Sequence, residues 1–308
     1  MERAVITGAT GFLGRNLASL CLEKGMEVFA IVRPESRNLG NLPKHEHLHL
    51  VRAALADSET WTKAIGCADV FFHFAWGGVN RAEIDSPAVQ AANIADSLAC
   101  VEGAAKLGAR AFFDAGSRVE YGTPDCVFQE DLPCQPVNEY GKAKLAFAKK
   151  AEPLCDKLGM KFLHLRFFSV YGPGDHPWSI ISTLARELPK GEKVSLSACR
   201  HEWNFMYIRD AVEAVYALWL HAGENPSAIV NVAGDDTRVL REFTEQAKSL
   251  AGSGELEYGT FVQAKEGAPS IRPDISRLKA FTRGDWVEKT SFAEGFRRTM
   301  DSDTTQEV

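Results

Sequence analysis

Short apolar segments alternate with amphipathic segments along the chain. The apolar segments have the length of buried strands, and they cover residues 4–6, 27–32, 48–53, 69–74, 110–115, 161–167 and 229–232. Apolar positions at helical spacing recur in segments 15–23, 87–107, 138–157, 210–221 and 240–250. Strands that alternate with helices predict an α/β fold, in which right-handed crossovers build a doubly wound, parallel Rossmann-type sheet.

The regular alternation stops after residue 172, where loops lengthen and Pro and Trp residues become frequent. We therefore predict a first domain over residues 1–171 and a smaller C-terminal α/β region over residues 172–300. Segment 205–235 is expected to return to the first domain. Residues 301–308 are polar and acidic, which predicts a frayed tail.

The first strand leads into three glycines spaced three residues apart, Gly8, Gly11 and Gly14. A helical pattern follows them directly. The backbone N–H groups at the start of a helix are free, and the helix dipole there favours a phosphate. Glycine is needed where a side chain would block a pyrophosphate or the packing of helix on strand. The stretch therefore predicts a dinucleotide-binding turn.

Composition and charge exclude several classes of protein. The chain has 308 residues, 45% of them hydrophobic, and a net charge of −6 without a basic stripe, which argues against nucleic-acid binding. No apolar run reaches membrane-spanning length, and a strand at the very start leaves no room for a signal peptide. Seven scattered cysteines, without Cys-x-x-Cys spacing, indicate reduced thiols and a cytoplasmic location. Cys134 has no adjacent base, which indicates an ordinary thiol.

No metal site is predicted. His45, His47 and His49 alternate in an extended segment, but the sequence offers them no further ligand except Glu46, which would face away.

Tyr140 and Lys144 stand one helical turn apart, on one face of a predicted helix. A cation beside a phenol favours the phenolate, so we expect Lys144 to lower the pKa of Tyr140. A Tyr tuned in this way can exchange a proton with a carbonyl or an alcohol. Ser117 follows the fifth strand at the edge where such sheets bind ligands, and its hydroxyl can orient the same oxygen. The alternatives are a solvated helix face for the first two and a turn residue for Ser117.

The order of several motifs resembles that of the extended short-chain dehydrogenases/reductases, in particular the NAD(P)-dependent nucleotide-sugar epimerase, dehydratase and reductase group. Beside the glycine turn, the motifs are His73-x-Ala75, Ser117-x-x-x-Tyr121-Gly122, Tyr140-x-x-x-Lys144, Arg166-x-x-x-Val170-Tyr171-Gly172-Pro173 and Phe205-x-Tyr207-Ile208-x-Asp210. The resemblance implies an enzyme, with Tyr140 as general acid/base, Ser117 as the catalytic hydroxyl and Lys144 holding the nicotinamide ribose. The residues implied at the dinucleotide are Gly8, Thr10, Gly11, Phe12, Leu13, Gly14, Arg33, Arg37, Leu55, Phe74, Ala75, Tyr140 and Lys144.

The same resemblance implies a nucleotide-sugar substrate, a homodimer formed through segments 87–107 and 138–157, and a substrate-binding role for residues 172–300. Its implied substrate contacts are Asn93, Arg118, Ser169 and Arg272. Arg272 resembles the arginine that clasps the substrate diphosphate. Asn93 either lies near the active site or is a helix-packing amide.

Several positions depart from the pattern of this group. Arg118 and Val119 replace the Asp-Glu pair that dehydratases use to expel water. The sequence therefore argues against 4,6-dehydratase activity. Trp203 replaces a usual Arg, and Ser169 a usual Asn. At the adenine end Ala53 and Ala54 replace Gly-Asp, although Asp57 can cap the following helix.

The second strand ends at Arg33, where NAD-preferring relatives carry an acid. Arg33 and Arg37 would attract a 2′-phosphate, so we expect NADP(H), with NAD as the alternative.

The resulting hypothesis is an NADP(H)-dependent reductase of a nucleoside-diphosphate 4-keto (deoxy) sugar. One alternative is a UDP-hexose 4-epimerase with tightly bound NAD. Another is a non-catalytic dinucleotide-sensing protein of the same fold.

Overall fold

The computed structural model describes residues 1–36, 38–80, 82–261 and 270–304. The strands within these ranges are β1 Arg3–Thr7, β2 Glu27–Val32, β3 Leu48–Arg52, β4 Val70–His73, β5 Ala111–Ser117, β6 Val127–Phe128, β7 Lys161–Phe167, β8 Ser169–Tyr171, β9 Lys193–Leu196, β10 Glu202–Tyr207, β11 Ala228–Val232, β12 Thr237–Val239, β13 Glu255–Tyr258 and β14 Arg272–Pro273. The helices are α1 Phe12–Glu23, α2 Ser58–Ile65, α3 Pro87–Lys106, α4 Glu139–Lys157, α5 Ile180–Glu187, α6 Ile208–Leu220, α7 Leu240–Ala251, α8 Ser276–Thr282 and α9 Phe292–Thr304. None of these helices combines the length and apolar character needed to cross a bilayer.

A seven-stranded parallel sheet forms the centre of the fold, in the order β11-β7-β5-β4-β1-β2-β3. The strand order reverses beside β1, since β2 and β3 lie on one side of it and β4, β5, β7 and β11 on the other. In such sheets a ligand binds at the carboxyl ends of the strands next to this reversal. The Rossmann-like α/β fold that the sequence predicts is therefore confirmed.

Both faces of the sheet are buried, which explains why its strands read as continuous apolar runs. Successive side chains of β1 enter different hydrophobic clusters: Ala4 and Ile6 join the cluster on one face, and Val5 joins Trp61 and Phe112 on the other. Helices α1 and α6 pack together. Helix α3 packs against α2 and α4.

Smaller sheets follow in the C-terminal part, where β8, β10 and β12 form one sheet and β9 pairs with β13. Strand β11 nevertheless extends the large sheet beside β7, so the chain returns there after residue 172. Helix α9 continues through residues 301–304 of the predicted tail. Residues 305–308 lie outside the described residues.

Side-chain caps fix the starts of α2 and α4. The carboxylate of Asp57 accepts a hydrogen bond from the backbone N–H of Thr60 at 3.2 Å, at the start of α2. Asn138 caps α4, where its Oδ1 accepts from the N–H of Gly141 at 2.8 Å. The second cap sets the position of the turn that carries Tyr140.

Candidate active site

The glycine turn after β1 leaves a space at the start of α1. Gly8 has a φ of +67°, and a Cβ there would lie 2.5 Å from the carbonyl oxygen of Phe74. A Cβ on Gly14 would lie 2.2 Å from the carbonyl oxygen of Gly8. Gly11 occupies the N-cap position without a side-chain cap, so the first N–H groups of the helix are available to an anion.

A Gly14→Ala substitution tests this turn. The added methyl group must displace the backbone of Gly8, so we expect dinucleotide affinity to fall at least about tenfold and stability by about 1–3 kcal/mol. The measurements are equilibrium binding of NAD⁺ and NADP⁺ and unfolding in urea. Gly223→Ala is the matched control, because a methyl group at that position would have no atom of its surroundings within 4 Å. Unchanged affinity in Gly14→Ala would contradict the placement of the dinucleotide.

A buried chain of hydrogen bonds ties β1 to the loop that follows β4. The hydroxyl of Ser97 donates to the carbonyl of Asn93 at 2.6 Å, so it accepts from Nε2 of His73 at 2.8 Å. Nδ1 of His73 then accepts from the hydroxyl of Thr7 at 2.9 Å, and that oxygen accepts from the N–H of Phe74. Burial lowers the pKa of His73 to about 4, so its ring is neutral and supports this chain.

Tyr140, Lys144 and Ser117 come together at the carboxyl edge of the sheet. Ser117 ends β5, and the other two lie one turn apart at the start of α4. The ammonium of Lys144 is buried, donates to the carbonyl of Ala115 at 2.6 Å, and lies 3.6 Å from the ring centre of Trp76. Trp76 also packs edge-on against Tyr140, with ring centres 6.3 Å apart. The sequence analysis did not predict Trp76 as a site residue. Its position just after β4, at the edge of the sheet where ligands bind, could have indicated this role.

The pKa of Tyr140 is raised, not lowered. Burial is the main cause, a hydrogen bond with Ser117 opposes it, and the carboxylates of Glu120 and Asp114 raise the pKa further. The expected lowering by Lys144 is wrong for the protein alone, because that ammonium is directed to a backbone carbonyl and an aromatic ring. Tyr140 therefore holds its proton and is set up as a proton donor.

An ionic network lies buried directly behind Ser117. One carboxylate oxygen of Glu120 accepts from the N–H of Ser117 at 2.7 Å. The other contacts Nε2 of His164 at 2.9 Å and Nε of Arg166 at 3.0 Å. Nδ1 of His164 contacts Asp114 at 2.8 Å, and the four ionic side chains are almost completely buried. Burial alone would lower the pKa of His164, but the two carboxylates outweigh it and raise that pKa to about 9.

This network explains one departure from the dehydratases. Glu120, one position away from their Asp-Glu pair, is buried among cations instead of facing a substrate. The cationic end of the network continues to Cys134, whose sulfur accepts from Arg166 at 3.1 Å. Burial raises the pKa of Cys134, as fits an ordinary thiol.

The proposed substrate contacts lie in different surroundings. Asn93 exchanges two hydrogen bonds of 2.9 Å with the backbone of Gly77, and so it holds the loop after β4. Ser169 begins β8, in register with β10. The guanidinium of Arg272 lies 2.6 Å from Asp125 and 3.3 Å from Glu202, so the arginine expected at the diphosphate is already paired with two carboxylates.

Arg118 lies over the ring of Trp203, with its guanidinium carbon 5.1 Å from the ring centre. These two residues depart from the family pattern at two separate positions, and the fold brings them into contact. His201 lies beside them, since its ring packs on Trp203 and Arg118 contributes to a lowered pKa that is caused mainly by burial.

Most residues implied at the dinucleotide surround the glycine turn and the neighbouring strand ends. Phe12 and Leu13 begin α1, and the carbonyl of Thr10 accepts from Asn41 at 3.3 Å. The N–H of Ala75 donates to the hydroxyl of Thr7 at 3.2 Å. Leu55 follows β3 and is half-buried, Arg33 follows β2 and is exposed, and Arg37 lies outside the described residues.

The three alternating histidines do not converge on a shared point. His49 pairs with Glu27 at 3.0 Å, while Nδ1 of His45 accepts from the N–H of His47 at 3.1 Å. In the described part of the chain, no group of three or more His, Cys, Asp or Glu side chains is placed to hold a metal ion.

The chain resembles known proteins in sequence and in fold. Residues 4–233 match the model of the NAD dependent epimerase/dehydratase family. The chain is 24% identical to UDP-glucuronic acid decarboxylase 1 of Xenopus tropicalis, over 97% of this chain and 71% of that one. The structure of a UDP-glucose 4-epimerase from Thermotoga maritima superposes with a TM-score of 0.86 at 21% identity, covering 99% of this chain and all of the other. A UDP-glucuronic acid 4-epimerase from Bacillus cereus, solved with NAD, gives 0.85 at 18% identity, with coverage of 99% and 100%.

Proposed function

Since the chain belongs to the NAD dependent epimerase/dehydratase family, we propose that it transfers hydride between a nicotinamide dinucleotide and a secondary carbon of a nucleotide sugar. The arrangement that carries the proposal is Tyr140 beside Ser117, with the buried ammonium of Lys144 one helical turn from Tyr140. The first domain would bind the dinucleotide, and the region after residue 172 would bind the substrate.

The residues at the glycine turn fit a dinucleotide, because the turn has room only for glycine and its helix start is uncapped. When bound, this group supplies or accepts the hydride. Tyr140 gives its proton to the sugar oxygen, and Ser117 orients that oxygen by a hydrogen bond. Lys144 uses one N–H on Ala115, and its ammonium has two further donors for the hydroxyls of a ribose.

Within this reaction class we propose an NADPH-dependent reductase of a nucleoside-diphosphate 4-keto (deoxy) sugar. The exposed Arg33 at the end of β2, where an acid would exclude the 2′-phosphate, supports this assignment. A UDP-hexose 4-epimerase with bound NAD is the second candidate, and both solved structures described above carry epimerase names. The test is to denature the purified protein, identify the released dinucleotide, and follow NADPH oxidation with 4-keto sugar nucleotides. Retained NAD without NADPH oxidation would favour the epimerase.

An Arg33→Asp variant tests the cofactor preference. A carboxylate repels the 2′-phosphate and accepts from a free ribose hydroxyl, so we expect NADP⁺ affinity to fall at least about tenfold while NAD⁺ affinity is kept or improved. Equilibrium titrations of both dinucleotides measure the ratio. Arg297→Asp makes the same charge change at an exposed position on α9. An equal loss for both dinucleotides would contradict a role of Arg33 at the phosphate.

The proposal also includes a homodimer that uses α3 and α4, and a cytoplasmic location. The two helices pack against each other within the chain. The seven cysteines are free thiols, which suits a reducing compartment.

A further inference from the structure

Arg118 carries a cation that no described carboxylate of the protein neutralises. Among the residues that the structure describes, its guanidinium forms no ion pair and donates no hydrogen bond, and its one polar contact is the face of Trp203. Burial lowers its pKa, and no carboxylate opposes that shift. A guanidinium has five N–H donors. In the described part of the chain, no acceptor receives a hydrogen bond from those of Arg118.

Side chains alternate between the two faces of β10, which explains why the carboxylate of Glu202 does not pair with Arg118. Glu202 and Trp203 are consecutive on this strand, so their side chains project to opposite faces. Glu202 pairs with Arg272, while Trp203 receives Arg118. The indole N–H of Trp203 is also buried without an acceptor. His201, whose pKa is lowered by burial and by Arg118, adds no negative charge.

We propose that Arg118, supported by Trp203, is the subsite that receives a negatively charged group of the nucleotide-sugar substrate. The guanidinium presents paired N–H groups that match the two oxygens of a carboxylate or a phosphate. A substrate is the expected source of this charge, because Arg118 directly follows Ser117, and Ser117 lies at the proposed catalytic position beside Tyr140. This inference rests on the proposed function and goes beyond it by assigning the anion contact of the sugar or diphosphate to this residue.

Two parts of such a substrate carry the required oxygens: the diphosphate, and a carboxylate on the sugar of a nucleotide uronate. The test compares wild type with Arg118→Met, which keeps the length of the side chain and removes the charge. Calorimetry would measure the binding of two matched pairs, UDP-glucose with UDP-glucuronic acid and GDP-mannose with GDP-mannuronic acid, in the presence of dinucleotide. The pair that wild type binds more tightly is then used for the variants.

A sugar carboxylate at Arg118 predicts a loss of about 10- to 100-fold for the uronate in Arg118→Met, with the neutral sugar nucleotide unchanged. A diphosphate at Arg118 predicts an equal loss of that size for both members of the pair. Arg118→Lys should retain part of the affinity in either case. Arg238→Met is the matched control, since Arg238 also lies over an aromatic ring, 4.1 Å from the centre of Phe243, but is paired with Asp236.

Affinities within twofold of wild type in Arg118→Met would overturn the inference and leave the proposed function standing. Wild-type protein that binds dinucleotide but neither pair would overturn both. Far-ultraviolet circular dichroism and urea unfolding of each variant separate a lost contact from a lost fold.

Discussion

Tyr140→Phe should reduce turnover by about 10²- to 10⁴-fold, the range expected when a positioned general acid is removed. The substitution deletes the proton that burial keeps on the phenol, and it leaves the ring to pack against Trp76. Dinucleotide binding should survive, because the glycine turn and Lys144 are untouched. The measurements are turnover with a sugar nucleotide that binds, and equilibrium titration of the dinucleotide.

Tyr216→Phe is the control for this experiment. Tyr216 lies on α6, which packs against α1, and the ammonium of Lys24 lies 5.7 Å from the centre of its ring. Its loss should change turnover by less than about twofold, as for other surface substitutions. Unchanged turnover in Tyr140→Phe would show that Tyr140 is not the acid, and it would favour a dinucleotide-sensing protein.

Glu120→Gln should lower the free energy of unfolding by about 3–5 kcal/mol, the cost of leaving buried charges without their partner. Glu120 neutralises His164 and Arg166 within a fully buried network, and it also accepts from the backbone N–H of Ser117. Glutamine keeps the shape of the side chain but removes the charge. Urea unfolding measures the loss, and a variant as stable as wild type would show that the network contributes little.

The pH dependence of stability separates the network from simple packing. The pKa of His164 is raised to about 9 from an ordinary value of 6.5. Because the folded state holds this proton more tightly, its contribution is fully present below pH 6.5 and is lost as the pH rises through about 9. In Glu120→Gln the pKa of His164 should be less raised, so the stability that its protonation contributes should be lost at a lower pH. Glu139→Gln, which breaks an exposed pair with Lys142, should change stability by less than about 1 kcal/mol and leave the pH profile unchanged.

Most strands and helices of the first domain are readable in the sequence because they contain an apolar run or a helical repeat. The bounds of β1, β2, β7 and α3 differ from their predictions by no more than two residues. Helices α5, α8 and α9 were not predicted. All three lie in the irregular C-terminal part, and α5 and α8 are also short. Their packing depends on contacts between distant residues, which periodicity does not show.

The chemistry was predicted less completely than the fold. Ser117, Tyr140 and Lys144 could be grouped, since strand ends and helix turns follow from local patterns. The raised pKa of Tyr140 could not be predicted, because it depends on burial and on where the ammonium of Lys144 points. The contact of Arg118 with Trp203 joins positions far apart in sequence, so local sequence patterns could not predict it.

The most direct test of the central claim is absorbance at 340 nm, followed after rapid mixing of the dinucleotide-loaded protein with a nucleotide sugar. A sugar that carries deuterium at the reacting carbon, or a dinucleotide that carries it at the nicotinamide, serves as the second arm. We expect a change in reduced nicotinamide that is slower with deuterium and almost absent in Tyr140→Phe. A nucleotide sugar that binds tightly without any change at 340 nm would contradict hydride transfer at this site.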